Sequence, residues 1–508
     1  MTDLILAVDQ GTTGTTVIVM QPDGRAIGRG YHEHPQHFPS PGMVEHDPEA
    51  IWRTVLEATT ESMGAAGVVA ADLASIGITN QRETIVAWDA RTGRAVGPTI
   101  VWQDRRTSAR CEQLRAEGID RRVREIAGLP TDPYFSATKV EWLLREVPEV
   151  RAVADAGALR LGTIDSWLVH RMTGGASHIT DASNAARTML FDIHAGRWSD
   201  ELCTLFGVDQ SWLPTVVDSS GLLAAADPAA FLGISAPIAG IAGDQQSALF
   251  GQACHEVGQA KATYGTGAFV LVNNGDRAPA SEALISTVGW RLGGEPTYAL
   301  EGSVFTAGAS VQWLRDGVQF ISRSPDVEQL AASVPDSGGV VLVPAFAGLG
   351  APHWDAEARG SMLGLTRGTT RAHVARATLE AVAFRVRQVV DAMRREGTNV
   401  RELRVDGGMA ANDLLMQLQA DVLGVPVTRP TNVETTSLGA AFLAAHGVGI
   451  HPTLDAVADA WTAERTFEPR ANAAIEATFE RFEHAVAATR AFAKATNPPV
   501  RIPVSTDH

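Results

Sequence analysis

The apolar positions of this chain fall into short β-branched runs and longer runs with helical spacing, and the breaks between them are rich in glycine. Leu4–Val8 and Val17–Met20 are short, β-branched and bounded by turn residues, so they read as strands. Between them lies Asp9-Gln10-Gly11-Thr12-Thr13-Gly14-Thr15-Thr16. Gly11 and Gly14 would let backbone N–H groups crowd a concave turn that suits an anion, and the threonine hydroxyls add donors. The same octet is also compatible with an ordinary hairpin turn.

Further along, Gln21-Pro22-Asp23-Gly24 is a turn, and Asp47-Pro48 opens a helix with Asp as cap and Pro at its first position. Ile51, Val55 and Met63 share one face of that helix. Leu73–Ile78 reads as a buried strand ending in Thr79-Asn80-Gln81-Arg82-Glu83, with Thr84–Trp88 as the next strand. Ile100–Gln103 ends another, and Asp104–Glu117 is expected to be helical. A loop Asp132–Phe135 leads into a helix over Ala137–Glu146, and Leu161–His170 reads as strand, turn and helix. The apolar strand Pro237–Ala242 runs into Gly243-Asp244-Gln245-Gln246.

Near residue 250 the opening pattern returns: Gln259–Thr263, then Tyr264-Gly265-Thr266-Gly267, then Ala268–Val272. Two strand–loop–strand units about 250 residues apart suggest duplicated domains facing each other. Val340–Pro344 is a strand, and Ala372–Arg395 a long amphipathic helix with Val374, Ala377, Ala381, Val386, Val389 and Met393 inward. Leu403–Asp406 leaves into Gly407-Gly408, a third glycine-rich strand end, before a helix over Asn412–Leu423. Pro452–Lys494 reads as helical, and the polar, Pro-containing tail from Asn497 as frayed.

At 508 residues the chain exceeds one core, so we expect two domains, 1–249 and 250–508, the second ending in a helical extension. The net charge of −16 argues against a nucleic-acid partner. Cys111, Cys203 and Cys254 are far apart and have neither disulfide nor zinc spacing. Asp3 stands where a signal peptide needs positive charge, and the longest weakly polar stretch, Leu222–Gly243, carries Asp227, Pro228 and Pro237. A cytoplasmic protein without a membrane partner is expected.

Three glycine-rich strand ends point to a nucleotide, yet there is neither a Gly-Lys pair nor a Gly-x-Gly-x-x-Gly string. The phosphates would then be held by paired hairpin loops. Asp9 and Asp244 each end an apolar strand, and together they can place one Mg²⁺ and one general base, the parts phosphoryl transfer needs. Arg82, Glu83, Tyr134, Asp244 and Gln245 suit a small hydroxylated molecule, with Trp102 and Phe269 for its carbon face. Each has a plainer reading: a surface ion pair for Arg82 and Glu83, core for the two aromatics, a helix cap for Asp244. Composition and spacing reach a two-domain ATP-using enzyme.

Longer strings carry a resemblance. Tyr134–Leu143, then Gly360–Gly364 through His373 to Glu380, are similar to the two signatures of the FGGY carbohydrate kinases. Gly77–Thr84, Ile241–Gln246 and Thr263–Gly267 resemble the glycerol-phosphorylating members of that family. The resemblance spans about Leu4 to Gly447. It implies an α/β fold of two actin-like, ribonuclease-H-like domains with an interdomain cleft. It also implies ATP-dependent conversion of glycerol to sn-glycerol 3-phosphate. Carried over by position, Arg82, Glu83, Trp102, Tyr134, Asp244, Gln245 and Phe269 bind glycerol, and Asp244 is the base. Thr12, Thr13 and Gly14 meet the phosphates, Thr266, Gly308, Gln312, Gly408 and Asn412 bind the nucleotide, and Asp9 is the Mg²⁺ partner with Asp244 beside it. Relatives of this kind assemble as dimers and tetramers, so a homo-oligomer is expected.

The chain departs from that pattern in three places. Thr16 stands where an arginine is usual near the phosphates, and Ala224–Ser235 lacks the cations that bind fructose 1,6-bisphosphate in some relatives. The region near Glu468–Arg481 does not reproduce the docking motif for a sugar-transport protein, so neither control is expected. A kinase for another polyol or ketose, and a non-catalytic actin-like ATP-binding protein, are the rival readings.

Overall fold

The computed structural model describes residues 3–471 and 473–496, so the tail expected to fray from Asn497 lies outside the described residues. The chain divides into two compact units. The first holds the described residues up to Lys261 together with Leu271–Glu301 and Pro430–Glu464. The second holds Ala262–Val270, Gly302–Arg429 and the described residues from Arg465.

The first unit is built on β1 (Leu4–Gln10), β2 (Gly14–Met20), β3 (Ala26–Glu33), β4 (Leu73–Asn80), β5 (Ser220–Ala225) and β6 (Pro237–Gly243). They form one sheet in the order β5-β6-β4-β1-β2-β3. β1, β2 and β3 are antiparallel neighbours, whereas β4 runs parallel to β1 and β6 parallel to β4. That mixed order is the ribonuclease-H-like pattern expected. Leu6, Val8, Val17 and Val19 face a core shared with Ile51 and Val55 of the helix Pro48–Ala66 and with Trp88 and Trp167. Asp47 caps that helix as expected, accepting from the Glu49 N–H at 2.9 Å, with Pro48 at the first position.

On the other face the helix Thr435–Gly447 lies flush against β4 and β6. Gly77 and Gly240 make this approach feasible. A Cβ on the first would lie 2.1 Å from the Ala440 carbonyl oxygen, and one on the second 2.5 Å from the Ala444 nitrogen. A segment almost 200 residues downstream of β6 thereby completes the first unit.

The opening hairpin pattern does recur. β7 (Gln259–Tyr264) and β8 (Ala268–Gly275) flank Gly265–Gly267 as β1 and β2 flank Gly11–Thr13. β9 (Ile285–Leu292) and β10 (Glu295–Val304) pair antiparallel. In the second unit β11 (Glu402–Asp406) pairs parallel with β12 (Val427–Pro430). The long helix Arg371–Arg395 packs on the helices Asp326–Ala332 and Asp413–Leu423, with all six expected stripe residues buried.

Two expectations need correcting. The helix expected from Asp104 begins at Ser108, because the Asp104 carboxylate is taken by the Val44 N–H at 2.7 Å and by Arg106, which holds residues 101–107 as turns. The helical stretch expected over Pro452–Lys494 holds a helix Leu454–Asp459 and a helix Ala473–Thr496, but a strand Ala463–Phe467 interrupts it. The strand is exposed along Ala463–Thr466, so its pattern carries no buried stripe to distinguish it from a surface helix.

Candidate active site

Three parallel strands of the first unit end at one edge of its sheet. β1 ends in Asp9 and Gln10, β4 leads into Arg82 and Glu83, and β6 runs into Asp244. Register pairs Asp9 with Thr79 and Gly243 with Asn80, so the three ends are level. Crevices outside the carboxyl ends of parallel strands are where ligands bind in such sheets.

Arg82 is the hub. Its side chain is buried, and Nε stands 3.1 Å from Asp244 Oδ1. Nη1 and Nη2 donate to Glu301 Oε2 at 2.6 Å and Oε1 at 3.0 Å, and Nη2 also reaches the Tyr134 hydroxyl at 3.2 Å. Gly243 makes the passage to Asp244 feasible, since a Cβ there would meet Arg82 Cγ and Cδ at 2.8 Å. The expected partnership of Arg82 with Glu83 is a secondary contact at 3.6 Å. Glu83 is held chiefly by Arg187, whose Nε donates to Glu83 Oε1 at 2.7 Å. Glu83 adopts φ +61°, a left-handed conformation that costs a non-glycine residue about 1–3 kcal/mol. The Ser136 hydroxyl fixes it by donating to its carbonyl at 2.9 Å.

Arg82, Arg187, Glu83 and Glu301 therefore form a buried, charge-balanced quartet, not a surface ion pair. The two carboxylates respond differently. Burial raises Glu83, with the two arginines opposing it, whereas Arg187 and Arg82 outweigh burial at Glu301 and hold it at about 2. The reason is coordination: Glu301 takes three guanidinium contacts, and Glu83 one short one.

Asp244 opens the helix Asp244–Gly251 and is one-third exposed. Its Oδ1 accepts from the Gln245 N–H at 2.7 Å and pairs with Arg82, and among the described residues no donor reaches Oδ2. The Gln245 side-chain oxygen accepts from Lys261 Nζ. Trp102 donates from Nε1 to Thr12 Oγ1 at 2.9 Å and meets the Tyr134 ring edge-on at 5.5 Å.

Asp9 is half-buried at the end of β1. Burial, then the charges of Asp244 and Glu434, push its carboxyl up to about 7, and the Ser437 hydroxyl at 3.4 Å opposes them. Carboxylates that repel one another at a shared edge fit a divalent cation, which would relieve both burial and repulsion. Among the described residues no cluster of three or more His, Cys, Asp or Glu could hold a metal. Two acids still suit Mg²⁺, which keeps water and takes phosphate oxygens for its other positions. A raised carboxyl stabilises the fold below its ordinary value of 3.8, and that contribution is lost as pH rises through about 7. In cation-free buffer, Asp9→Asn should melt a few degrees above wild type at pH 8, with the gap narrowing as pH falls and closing only near 3.8. Scanning calorimetry reads this, and a lower Tm at pH 8 would contradict the repulsion.

Thr13 is exposed and Gly14 buried at the loop between β1 and β2. Gly14 is glycine for packing: a Cβ would lie 2.7 Å from the His32 carbonyl oxygen of β3. Gly11 and Gly14 close the loop through the Gly11 N–H donating to the Gly14 carbonyl at 2.9 Å. Thr16 pairs with Asp9 on one side and Tyr31 on the other.

In the second unit three loops meet at one end. The Gly308 N–H donates to the Gly265 carbonyl at 2.9 Å, and the Ala309 N–H to the Thr266 carbonyl at 3.0 Å. A Cβ on Gly407 would lie 2.5 Å from the Tyr264 carbonyl oxygen, which brings Gly408 to the same end. Thr266, Gly408 and Gln312 are exposed there. Asn412 caps the helix Asp413–Leu423, its Oδ1 accepting from the Leu415 N–H at 2.8 Å. Phe269, on β8, is half-buried in this unit.

Hydrogen bonds, ring contacts and charge thus link Thr12, Trp102, Tyr134, Arg82, Glu83, Asp244 and Asp9 into one cluster. Sequence reading missed Arg187, Glu301, Glu434 and Ser437. Glu301 carried a signal, an acid inside the apolar stretch Tyr298–Val304, whereas nothing local marks Arg187.

The sequence pattern of the FGGY family of carbohydrate kinases matches its N-terminal domain to residues 4–251 and its C-terminal domain to residues 260–448. The chain belongs to this family of two-domain, actin-like kinases. Within it, the chain is 55% identical to a glycerol kinase of Aromatoleum aromaticum, over 97% of this chain and 99% of the relative. It is 54% identical to one of Deinococcus radiodurans, over 92% and 93% of the two chains. The crystal structure of Plasmodium falciparum glycerol kinase with ADP superposes with a TM-score of 0.90 at 33% identity, covering 96% of this chain and 98% of that one. A xylulose kinase from Lactobacillus acidophilus shares the fold, with a TM-score of 0.88 at 21% identity over 97% of this chain and 100% of that one. No helix among the described residues is long and apolar enough to cross a membrane.

Proposed function

We propose that this protein transfers the terminal phosphoryl group of ATP to a terminal hydroxyl of glycerol, giving sn-glycerol 3-phosphate. The observation that carries the reading is the Arg82–Asp244 pair at 3.1 Å, backed by a buried quartet and faced by Tyr134 and Trp102. A vicinal diol donates and accepts at once, so an arginine fork beside carboxylates suits it, and an indole face covers its carbons. Asp244 Oδ2 takes the proton of the attacking hydroxyl, while Oδ1 is held by Arg82 and the Gln245 N–H.

Asp9, with Asp244 near it, would hold Mg²⁺, and the ion would neutralise phosphate charge during transfer. Thr12, Thr13 and Gly14 of the first unit take phosphate oxygens. In the second unit Thr266, Gly308, Gln312, Gly408 and Asn412 take the nucleotide, and Phe269 lies against the polyol's carbons. Thr16 offers only a hydroxyl to the phosphates, which weakens charge stabilisation relative to an arginine. The protein acts in the cytoplasm as a homo-oligomer of two or four copies, without control by fructose 1,6-bisphosphate or a sugar-transport protein.

An ADP-release screen across glycerol, tetritols, pentitols and ketopentoses tests the reading. Glycerol should give the highest kcat/KM by at least about 100-fold, since unmatched buried polar groups reject poor substrates strongly. A preference for a ketopentose would replace the assignment with another sugar kinase. Heat on titrating glycerol without nucleotide separates an enzyme from a bare ATP-binding module.

A further inference from the structure

Lys139 is one of few lysines in an arginine-rich chain, and its side chain is wholly buried in the first turn of the helix Ser136–Glu146. Its ammonium donates to three consecutive carbonyl oxygens: Pro133 at 2.6 Å, Tyr134 at 2.7 Å and Phe135 at 3.0 Å. We propose that Lys139 is a positioning residue for the polyol: it clamps the Pro133–Phe135 loop and so holds the Tyr134 hydroxyl against Arg82. The inference rests on the glycerol reading above.

Three carbonyl dipoles aimed at one point repel one another, and burial removes the water that would screen them. An ammonium carries three donors on one atom and no acceptor, which is the number required here. A guanidinium is a planar fork and cannot point three N–H groups into so tight a cup. The clamp works alongside two neighbours. The Asp132 carboxylate accepts from the Tyr134 N–H at 2.9 Å, and the Ser136 hydroxyl ties the helix start to the Glu83 carbonyl at 2.9 Å. The loop carrying Tyr134 and the strained residue Glu83 are therefore fixed to one another. The Tyr134 hydroxyl then meets Arg82 Nη2 at 3.2 Å.

Charges around the clamp come from every element packed on it. Glu83, Asp104 and Asp132 and the Cys111 thiol all favour the charged lysine, but burial outweighs them and pushes Lys139 down to about 8. Each carboxylate already has an arginine: Arg187 on Glu83, Arg106 on Asp104 and Arg105 on Asp132. Above pH 8 the neutral amine keeps two N–H groups and turns a lone pair toward the third carbonyl. The loop should loosen, and affinity for the polyol should fall while that for ATP does not.

The test uses the full-length enzyme, with initial rates on glycerol and ATP. Wild-type turnover of glycerol near neutral pH tests the substrate reading by itself. If another polyol or ketose is the substrate, the same comparisons are run with it. Wild-type KM for the polyol should rise at least about fivefold from pH 7.5 to 9.5 with KM for ATP unchanged, and Lys139→Gln should raise it at least tenfold at pH 7.5 and lose the pH dependence. In Lys139→Ala, n-propylammonium replaces the missing atoms beyond Cβ and should restore the polyol KM, whereas tetramethylammonium, with no N–H, should not. A wild-type polyol KM flat to pH 9.5 overturns the proposal, even if both variants fail to fold. So does a folded variant whose polyol KM stays within twofold of wild type.

Discussion

Asp244→Asn is expected to bind glycerol nearly as well as wild type and to lose about 10²–10⁴-fold in kcat, the range that general-base catalysis contributes. The two side chains have the same shape, so the amide oxygen can replace Oδ1 between Arg82 Nε at 3.1 Å and the Gln245 N–H at 2.7 Å. What changes is the other atom. Oδ2, which no described donor reaches, becomes an NH₂ group that cannot take a proton. Calorimetric titration of glycerol against kcat separates these effects, and a near-normal kcat would move the base elsewhere. The substitution should also lower the Asp9 carboxyl, because Asp244 is one of the two charges raising it.

Glu301→Gln is expected to be the most damaging change in the quartet, costing about 3–5 kcal/mol of stability, because it leaves buried guanidinium charge uncompensated. Glu301 takes contacts from Arg82 at 2.6 and 3.0 Å and from Arg187 at 3.2 Å. An amide keeps one acceptor and no charge. The glycerol KM should rise at least about tenfold, because the Arg82 fork loses the carboxylate that aims its Nε at Asp244. Urea unfolding and steady-state kinetics read both effects. Removing the opposite charge as well, in Arg187→Met/Glu301→Gln, should recover part of the stability while the KM stays raised. Wild-type stability in the single variant would mean that the quartet is not electrostatically balanced. Since Glu301 is held at about 2, its contribution persists above its ordinary value of 4.5 and is lost only as pH falls toward 2.

Much of the site could be read before any coordinates. Asp9, Arg82 and Asp244 each follow an apolar strand, and a polar residue just past a strand end is exposed where parallel strands present ligands. Tyr134 sat in the loop Asp132–Phe135 before a helix start, and Trp102 at the end of a strand. The partners of these residues were not legible. Glu83 was expected to pair with its neighbour Arg82, but the left-handed turn at residue 83 swings the carboxylate to Arg187, 104 residues away. Ser437 and Glu434 act on Asp9 from the far end of the chain, through a helix whose start no local pattern connects to β1.

Local physics determined what the sequence could determine by itself: the strand–glycine loop–strand units, the capped helix at Asp47 and the buried stripe of Arg371–Arg395. Their periodicity, turn residues and caps act within a few residues of one another. The tertiary structure alone decided which carboxylate meets which guanidinium, why Gly14 must be glycine, and that residues 430–464 belong with the first unit. Those outcomes depend on backbones approaching across hundreds of residues, and such contacts leave no periodic trace in the chain.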